Sequence, residues 1–319
     1  MSVFSPCKMI IGGLVEMDYK KLIKNRDTRT AILQILDFVP DDIMLRIQYR
    51  IKTGRKLNLK NPKRYTEKIQ WYKLCYRDPL MAQCVDKYEV RHYVESCGLK
   101  NILNECYGVY SSVEEIDFDA LPNQFVLKDT LGSGGNSVIL VEDKGKSDID
   151  QIRRQLSKWL SKPINRKNPG REWVYEGNAH RIIAEKFIRS DSQGGLVDYK
   201  FFCFSGEIYC LYVMSDRTTG LKMGVYDSEF RPMNVFIRYD QKMQDIITPP
   251  KNYIEMCEIA KKLSSKFPHV RIDLYNQNGA IWFGETTFFS GSGYTLFDPD
   301  EFDFMMGEAF KLPQRKGIR

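Results

Sequence analysis

Residues 269–275, His-Val-Arg-Ile-Asp-Leu-Tyr, and residues 280–287, Ala-Ile-Trp-Phe-Gly-Glu-Thr-Thr, decide the fold of this chain. Both stretches are apolar, with polar side chains at alternate positions, which is typical of β-strands. The four residues between them, 276–279, end in Asn-Gly, a pair that favours a tight hairpin turn. The sequence therefore predicts a β-hairpin near the C-terminal end.

The predicted hairpin carries an arginine and two acids. Because side chains on a strand alternate between faces, Arg271 and Asp273 share a face with Tyr275, and Glu285 shares a face with Thr287. Burying such charges is costly unless they bind something. Mg²⁺ bridged to phosphates is a suitable ligand, because one or two carboxylates plus phosphate oxygens hold it. A solvated hairpin with a surface ion pair is the alternative.

A second candidate site is the glycine loop between two predicted strands, 124–128 and 137–141. The first strand ends in Lys128, and the loop reads Gly132-Ser133-Gly134-Gly135-Asn136-Ser137. Glycines let backbone N–H groups approach phosphate oxygens, and the lysine supplies a point charge. The loop lacks the Gly-Lys-Ser/Thr of a Walker A motif, and the strand after it excludes a dinucleotide-binding fingerprint. We predict a flap over phosphates; an ordinary glycine hairpin is the alternative.

The composition excludes several classes of protein. The 319 residues suffice for two domains or one elaborated unit, and no run of 18 apolar residues is present. The apolar stretch 9–15 is too short for a signal peptide, so we expect a cytoplasmic protein. The 8 cysteines form no Cys-x-x-Cys pair and the 3 histidines do not cluster. Neither a disulfide framework nor a zinc site is expected.

The net charge of +7 is concentrated in one segment. Residues 19–64 contain 13 Lys and Arg against 4 Asp and Glu. Such a segment attracts polyanions: nucleic acid, anionic lipid or an acidic polymer. A solvated helical face is the alternative interpretation.

The order of these segments resembles the ATP-grasp superfamily and, more closely, its TupA-like family. The resemblance extends from about residue 40 to about residue 300. The segments that carry it are Asn61-Pro62, 66–71 (Thr-Glu-Lys-Ile-Gln-Trp), 86–91 (Asp-Lys-Tyr-Glu-Val-Arg), 125–128, 132–136, 170–173 (Gly-Arg-Glu-Trp), 198–204, 270–275 and 284–286.

The resemblance implies an α+β protein with the ATP-grasp fold, in which two α+β subdomains with largely antiparallel sheets clamp ATP after a helical N-terminal region. The expected segments are a basic, mostly helical region 1–75, a pre-grasp region 76–122, a small subdomain 123–190 with the glycine flap, a large subdomain 191–308 with the magnesium site, and a basic tail 309–319.

The resemblance also implies roles for individual residues. Those expected at the nucleotide are Lys87, Lys128, Gly132, Ser133, Gly134, Gly135, Asn136, Ser137, Glu185, Lys186, Ile188, Asp198 and Lys222. Of these, Glu185 and the backbone of Lys186 and Ile188 would meet adenine, and Asp198 the ribose. Arg271, Lys200 and Arg217 are expected at the reacting groups. Asp273 and Glu285 would hold Mg²⁺, with Thr287 where many relatives have asparagine.

The implied activity is an ADP-forming carboxylate–amine ligase that uses ATP and Mg²⁺ and passes through an acyl phosphate. Its expected substrates are an amino acid or amine and a uronic acid or polyglutamate of a surface polymer. Residues 19–64 would contact the anionic polymer or the inner face of the membrane. One alternative is a kinase or a glycosyltransferase. Asp298-Pro299-Asp300 has the Asp-x-Asp spacing with which glycosyltransferases often bind the metal of a sugar nucleotide. The other is a nucleic-acid-binding protein without catalysis, which would use aromatics such as Tyr49, Tyr65, Trp71 and Tyr72.

Overall fold

The N-terminal part of the described chain is helical. The structure, a computed structural model, describes residues 26–132, 137–164, 166–190, 193–216, 219–237, 242–243 and 247–314. Helix α1 (Arg26–Ile35) and a 3₁₀ turn (Leu36–Phe38) lead to Pro40, after which α2 (Asp41–Thr53) begins. The sequence predicts a helix over residues 31–49 that is broken at Val39-Pro40, and the structure has this break. Proline suits the start of a helix because it has no N–H to donate to the preceding turn.

Three further helices precede the first strand. Helix α3 (Tyr65–Cys75) contains residues 66–74, where the spacing of apolar side chains in the sequence predicts a helix. Helices α4 (Pro79–Val85) and α5 (Val90–Ser96) follow. The sequence also predicts a helix over 86–97, but the helix there begins only at Val90. The Asp86 side chain accepts the backbone N–H groups of Tyr88 and Glu89, and this turn delays the helix until Val90.

The smaller sheet has four antiparallel strands among the described residues. They are β1 (Cys106–Tyr110), β2 (Phe125–Asp129), β3 (Val138–Val141) and β4 (Ile182–Lys186), in the order β1-β4-β2-β3. Helix α6 (Ile149–Leu160) belongs to the same core, where its Ile152 and Leu156 join Phe125 and Leu127 of β2. By alternation, Lys128 faces away from that core. Strand β1 lies in the segment predicted as pre-grasp, so the sheet crosses the expected boundary at 122/123.

The larger sheet is built from the second half of the chain. Its strands are β5 (Asp198–Phe204), β6 (Glu207–Ser215), β7 (Lys222–Asp227), β8 (Pro232–Met233), β10 (Lys242–Met243), β11 (His269–Gln277) and β12 (Ala280–Thr287). The order is β10-β7-β6-β5-β11-β12, and β8 pairs with β7. Strand β9 (Phe236–Ile237) pairs with β13 (Phe297–Asp298). Helix α7 (Tyr253–Ser264) packs on this sheet. This arrangement centres the sheet on the β5–β11–β12 ladder.

Helix α8 (Glu301–Ala309) fastens the N-terminal region to the large sheet. Buried Asp303 of α8 accepts the backbone N–H and the hydroxyl of Thr66 at 2.9 and 2.8 Å. Arg64 binds Asp300 through both terminal nitrogens, each at 2.7 Å. Helix α3 therefore belongs to the same packed unit as the large sheet.

Candidate active site

The predicted hairpin of β11 and β12 is present, and its pairing brings the two acids together. Asp273 lies directly opposite Glu285, and Arg271 lies opposite Thr287. Residues directly opposite on neighbouring strands have Cβ atoms about 5 Å apart. The two carboxylates are therefore close enough to share one ligand.

A β-bulge at Gly284 interrupts the strict alternation that the sequence predicts. The register shifts between Asp273 and Leu274, so Tyr275 pairs with Trp282 and not with Phe283. A Cβ on Gly284 would lie 3.0 Å from the carbonyl oxygen of Asp273, which is tighter than most real contacts. Glycine therefore lets the bulged strand stay close to its partner.

Arg271 donates hydrogen bonds to both acids. Its Nε donates to Asp273 Oδ1 and its Nη2 to Asp273 Oδ2, both at 2.7 Å. The same Nη2 donates to Glu285 Oε1 at 3.0 Å, and Nη1 donates to the Ser290 hydroxyl at 3.1 Å. The planar guanidinium thus bridges both acids and holds the turn that follows β12.

Strand β5 adds a lysine to the same group. Lys200 lies opposite Asp273 in the ladder, and its ammonium donates a short hydrogen bond to Asp273 Oδ2. Buried Asp198, two residues earlier on the same face, has Oδ1 3.7 Å from Lys200 Nζ. The predicted catalytic lysine and arginine therefore meet at one carboxylate, and Asp198 lies beside them.

Neighbouring charges favour the ionised forms of Asp273 and Arg271. Burial alone would raise the pKa of Asp273, but Arg271 and Lys200 outweigh it and hold that pKa below its ordinary value. Burial likewise opposes the charge on Arg271, whose pKa is nevertheless raised by Asp273 and Glu285. The Asp273 residue is 1% exposed, whereas the Glu285 side chain is 39% exposed. The group is thus closed at its base and open at Glu285.

The smaller sheet contributes a second charged group. Lys128 Nζ lies 2.7 Å from Glu185 Oε2, and Arg91 Nη1 of α5 lies 3.5 Å from Glu185 Oε1. Glu185 is buried, so its carboxylate is held between two cations. This contact brings together the lysine and the glutamate that the sequence places at the phosphates and at adenine.

Lys87 lies at the entrance to the glycine loop. Its backbone N–H donates to the Thr130 carbonyl at 2.9 Å, and its ammonium donates a short hydrogen bond to the Gly132 carbonyl. Burial lowers the pKa of Lys87; Glu285 partly offsets this, and Lys128 lowers the pKa further. Lys87 is therefore within electrostatic range of both charged groups.

The base of the glycine loop is tightly fixed. Gly132 packs against Ser137, because a Cβ at 132 would lie 2.4 Å from the Ser137 Cβ. Buried Asp129 binds His180 Nδ1 at 2.7 Å and Lys162 Nζ at 2.6 Å behind the loop. The predicted loop residues Ser133, Gly134, Gly135 and Asn136 lie outside the described residues.

One cleft joins the two sheets. Its lining combines side chains from α5 and the smaller sheet with side chains from the hairpin: Lys87, Arg91, Leu103, Asn104, Lys128, Glu185, Ile188, Tyr275, Phe283 and Gly284. Cations and one carboxylate line one side and two aromatic rings the other. Such a mixture suits a ligand with an apolar ring and an anionic tail.

The backbone groups of Lys186 that are predicted to bind adenine already have hydrogen-bond partners within the protein. The Lys186 N–H donates to the Glu105 carbonyl at 2.9 Å, and its carbonyl accepts from Asn104 Nδ2 at 2.8 Å. A carbonyl has two acceptor positions, so the Lys186 oxygen retains one. Ile188 lines the cleft just beyond the end of β4.

Of the predicted residues that the structure describes, Lys222 is not brought to this group. Lys222 begins β7, three strands from β11 in the sheet order, with Nζ 3.6 Å from Asp216 Oδ2. At about 4.8 Å per strand, this places it on the order of 14 Å from the acids. Arg217 lies outside the described residues.

Sequence reasoning missed a buried lysine behind the Ser290–Gly293 turn. Lys73 of α3 donates to the carbonyls of Gly170 and Ser292 at 2.8 and 2.9 Å, and to the Ser292 hydroxyl at 2.9 Å. Glu172 Oε1 lies 4.0 Å away, and burial lowers the pKa of Lys73. Lys73 therefore fixes the turn whose Ser290 binds Arg271. The Ser-Gly-Ser-Gly run directly after the acidic strand was an available signal.

Sequence reasoning also missed several residues of the cleft and one that binds Arg271. Arg91, Asn104 and Phe283 line the cleft, and Ser290 binds Arg271. Arg91 and Asn104 reach the cleft only through the packing of α5 and its following loop against β4, which no local pattern reveals.

The residues that suggested nucleic-acid binding or glycosyl transfer have structural partners in the fold. Tyr49, Tyr65, Trp71 and Tyr72 are buried in the described structure, so they offer no surface for stacking nucleic-acid bases. Asp300, part of the glycosyltransferase-like spacing, is held by Arg55 and Arg64. Both patterns are therefore structural.

The two acids fit Mg²⁺ that is shared with phosphates. Asp273 and Glu285 supply hard oxygen donors, and Glu285 is the exposed one. Within the described residues there is no cluster of three or more acids, histidines or cysteines for a fully protein-bound ion. One or two carboxylates suffice for an Mg²⁺ that is bridged to phosphates. Thr287 Oγ1 lies 3.4 Å from Glu285 Oε1 and offers only a hydroxyl.

Comparison with known families decides the classification. The TupA-like ATPgrasp family matches residues 67–311. The chain belongs to the TupA-like ATP-grasp family. The α+β architecture of this member, with its two largely antiparallel sheets facing one cleft, is accordingly an ATP-grasp fold. The predicted family and fold class are confirmed.

Three solved structures illustrate distant matches to the chain. D-alanine–D-alanine ligase from Bacillus anthracis matches at 16% identity, covering 64% of this chain and 56% of that one, with a TM-score of 0.38. The ligase of the same name from Helicobacter pylori matches at 16% identity over 78% and 68% of the two chains, with a TM-score of 0.41. L-amino acid ligase from Bacillus licheniformis matches at 14% identity over 75% and 51%, also with a TM-score of 0.41. At such scores these matches carry no argument.

Two further comparisons complete the description. No curated protein sequence matches the chain. Among the described residues, every helix is too short or too polar to cross a bilayer.

Proposed function

We propose that this protein is an ADP-forming carboxylate–amine ligase that uses ATP and Mg²⁺. The observation that carries the proposal is the cleft in which Lys87, Lys128 and Glu185 lie across from the hairpin that bears Arg271 and Asp273. Phosphoryl transfer needs cations around the transferring group and carboxylates for a metal, with little covalent work by the protein. Both requirements are met here by side chains from separate elements.

The nucleotide would lie along the cleft between the sheets. Tyr275 and Phe283 supply apolar surface for the base, and Glu185 is within reach of its amino group. Lys128 and Lys87 would leave their present partners, Glu185 and the Gly132 carbonyl, to bind phosphate oxygens. Charge-assisted bonds to phosphate can replace these contacts because phosphate carries more charge than either partner.

The first chemical step would take place above Asp273. A substrate carboxylate attacks the γ-phosphorus, the bond to the β–γ bridging oxygen breaks, and ADP leaves. Arg271 and Lys200 would orient the attacking carboxylate and offset the developing negative charge. Asp273 and Glu285 would hold Mg²⁺, which supplies neutralisation of the phosphate charge when bound.

The second step would use the acyl phosphate made in the first. An amine nitrogen attacks the acyl carbon, the bond to the phosphate oxygen breaks, and the amine loses a proton. No side-chain nucleophile is required for either step. Asp273 is buried, and exclusion of water from that end of the site would protect the acyl phosphate from hydrolysis.

The acceptor would be an acidic polymer or its precursor, such as a uronic acid or polyglutamate. The support is the excess of cations in residues 19–64, 13 Lys and Arg against 4 Asp and Glu. In the described part of that segment, Lys56, Lys60 and Lys63 are exposed. A polyanion would be concentrated near such a surface.

An ADP-release screen tests the proposal. The purified protein is incubated with ATP, Mg²⁺, individual amino acids and either uronic-acid oligomers or polyglutamate, and the product is analysed by mass. We expect ADP and an amide that require both substrates. A phosphorylated acceptor or a glycoside as the product would overturn the ligase proposal.

A lysine substitution links that turnover to the cleft. Lys128→Ala should reduce ADP release by about 10²-fold or more, because a phosphate-binding cation is lost. Lys146→Ala is the matched control, since this lysine belongs to the same part of the chain but is 86% exposed. Equal activity of the two variants would show that the cleft has been misassigned.

A further inference from the structure

The outward side of α2 carries an unusual concentration of apolar side chains. Ile43, Ile47 and Ile51 follow one another at intervals of four residues, and each is 47% exposed. Ile35 and Phe38, just before the helix, are 72% and 80% exposed. Half of the large apolar side chains that are exposed in the described structure therefore lie between residues 32 and 51, which is typical of an interaction surface.

Cations border this apolar stripe. Arg46 and Arg50 are exposed on the same helix, and Lys56, Lys60 and Lys63 are exposed in the loop that follows it. At 100° per residue, Arg50 and Arg46 lie about 20° and 60° from Ile43, on the side away from Ile47. A helix with isoleucines on one strip and arginines beside it has the composition of an interfacial membrane helix.

We propose that this docking face, defined as Ile35, Phe38, Ile43, Ile47 and Ile51 with Arg46 and Arg50, binds the surface of an anionic lipid bilayer. The isoleucines enter the boundary between headgroups and acyl chains, and the arginines contact lipid phosphates. An acidic polysaccharide would satisfy the cations but has no apolar partner for the stripe. The exposed isoleucines therefore favour the bilayer.

The inner side of α2 connects the docking face to the cleft. Gln48 accepts a hydrogen bond from the Tyr294 hydroxyl at 2.8 Å, and the Lys52 ammonium lies 4.0 Å from the Tyr294 ring centroid. Tyr294 directly follows the turn whose Ser290 binds Arg271. If the proposed ligase function holds, docking would bring the reacting end of the cleft close to acceptors held at the membrane.

Vesicle sedimentation of the full chain, without nucleotide, tests the docking face. Vesicles of equal parts phosphatidylglycerol and phosphatidylcholine should pellet the protein, and vesicles of phosphatidylcholine alone should pellet much less. Ile47→Asp should weaken binding about tenfold or more, since it removes the burial of one large apolar side chain and adds a negative charge. Ile254→Asp is the control, because Ile254 is 75% exposed on α7.

A second variant separates the two components of the face. Arg46→Glu with Arg50→Glu should abolish the preference for anionic vesicles and flatten the dependence of binding on salt. Thermal unfolding of every variant is measured alongside, and all substituted residues are exposed, so the fold should persist. Both readouts are independent of ATP turnover, so failure of the docking face and failure of the ligase proposal are distinguishable.

Several results would overturn the docking proposal. One is the absence of sedimentation with anionic vesicles, and another is equal loss in the Ile47→Asp and Ile254→Asp proteins. Light scattering that showed a dimer abolished by Ile47→Asp would assign the face to a second copy of the chain. Binding of polygalacturonate that displaced the vesicles and ignored Ile47→Asp would assign the cations to a polymer.

Discussion

The two ends of one face of β11 place similar polar groups in opposite settings. At one end His269 is fully buried, with Nδ1 donating to the Cys203 carbonyl at 3.0 Å and Nε2 3.0 Å from the Tyr65 hydroxyl. The rings of Phe204 and Phe310 lie 5.0 and 5.2 Å from its own. At the other end, Arg271 and Asp273 are also saturated with partners, but their neighbour Glu285 reaches solvent.

The difference shows that satisfied hydrogen bonds do not by themselves separate structure from function. Both ends of the face have their polar atoms paired, as burial requires. What distinguishes the charged end is an opening and an arrangement of partners that a ligand can exchange. At His269 four aromatic rings exclude any such exchange.

The largest expected effect is at the charged end. Asp273→Asn should lower ADP release by about 10³-fold, because it removes a metal ligand and leaves Arg271 and Lys200 without their shared carboxylate. It should also destabilise the fold by about 3 kcal/mol, since one partner of a buried ion pair is lost. Steady-state turnover and urea unfolding measure the two effects. Turnover within tenfold of wild type would mean that both ends of the strand are structural.

Arg271→Ala should lower turnover by about 10²-fold while leaving the affinity for ATP within about threefold. Its contacts are to Asp273, Glu285 and Ser290, and none is to the part of the cleft lined by Lys128. Nucleotide titration and ADP release separate the effects, and Arg271→Lys should restore part of the turnover. An equal loss of ATP affinity and turnover would place Arg271 at the nucleotide.

Lys73→Met should lower turnover by about tenfold and destabilise the fold by about 3 kcal/mol, because two carbonyls and a hydroxyl lose their donor. The turnover effect should come through the turn that carries Ser290. Lys68→Met is the matched control: Lys68 is on the same helix and donates to the Gly307 and Phe310 carbonyls instead. Similar turnover in the two variants would confine Lys73 to stability.

The smallest effect on turnover is expected at the aromatic end. Burial lowers the pKa of His269 to about 3, so the folded protein keeps it neutral where the unfolded chain, with an ordinary pKa of 6.5, is protonated. The unfolded state thus binds one more proton, and the free energy of unfolding falls as pH drops from 6.5 towards 3, by up to about 1.4 kcal/mol per pH unit. His269→Gln should flatten this slope without changing turnover at neutral pH. Urea unfolding at several pH values measures it, and parallel slopes would contradict the assignment.

The sequence predicted the hairpin because its information is local. Alternation assigns Asp273 and Glu285 each to a face of its strand, but the register of the turn, with Gln277 opposite Ala280, would place Gly284 opposite Asp273. The fold class followed from the order of several such segments. The bulge at Gly284 moves Glu285 opposite Asp273, and it was not predicted, although an isolated glycine within a strand can signal one.

Contacts between distant elements could not be predicted. Lys222 was grouped with the site, but the strand order puts β6 and β5 between it and β11. Lys73 and His269 looked like ordinary helix and strand residues, and their settings depend on partners about 100 to 220 residues away. Local sequence patterns predict which side chains share a face of a helix or strand. Which element packs against that face depends on tertiary packing and is not visible in those patterns.

The bulge at Gly284 divides the hairpin into two parts that differ in pairing register by one residue. On one side of it the pairing is set by Arg271 and Thr287, and on the other by the exposed tip at Asn278 and Gly279. A fluorophore or peptide tag inserted at that tip would lengthen the far half without changing which residues face each other around Asp273. We therefore expect the tip to accept a reporter close to the acids, because the pairing around Asp273 lies on the other side of the bulge.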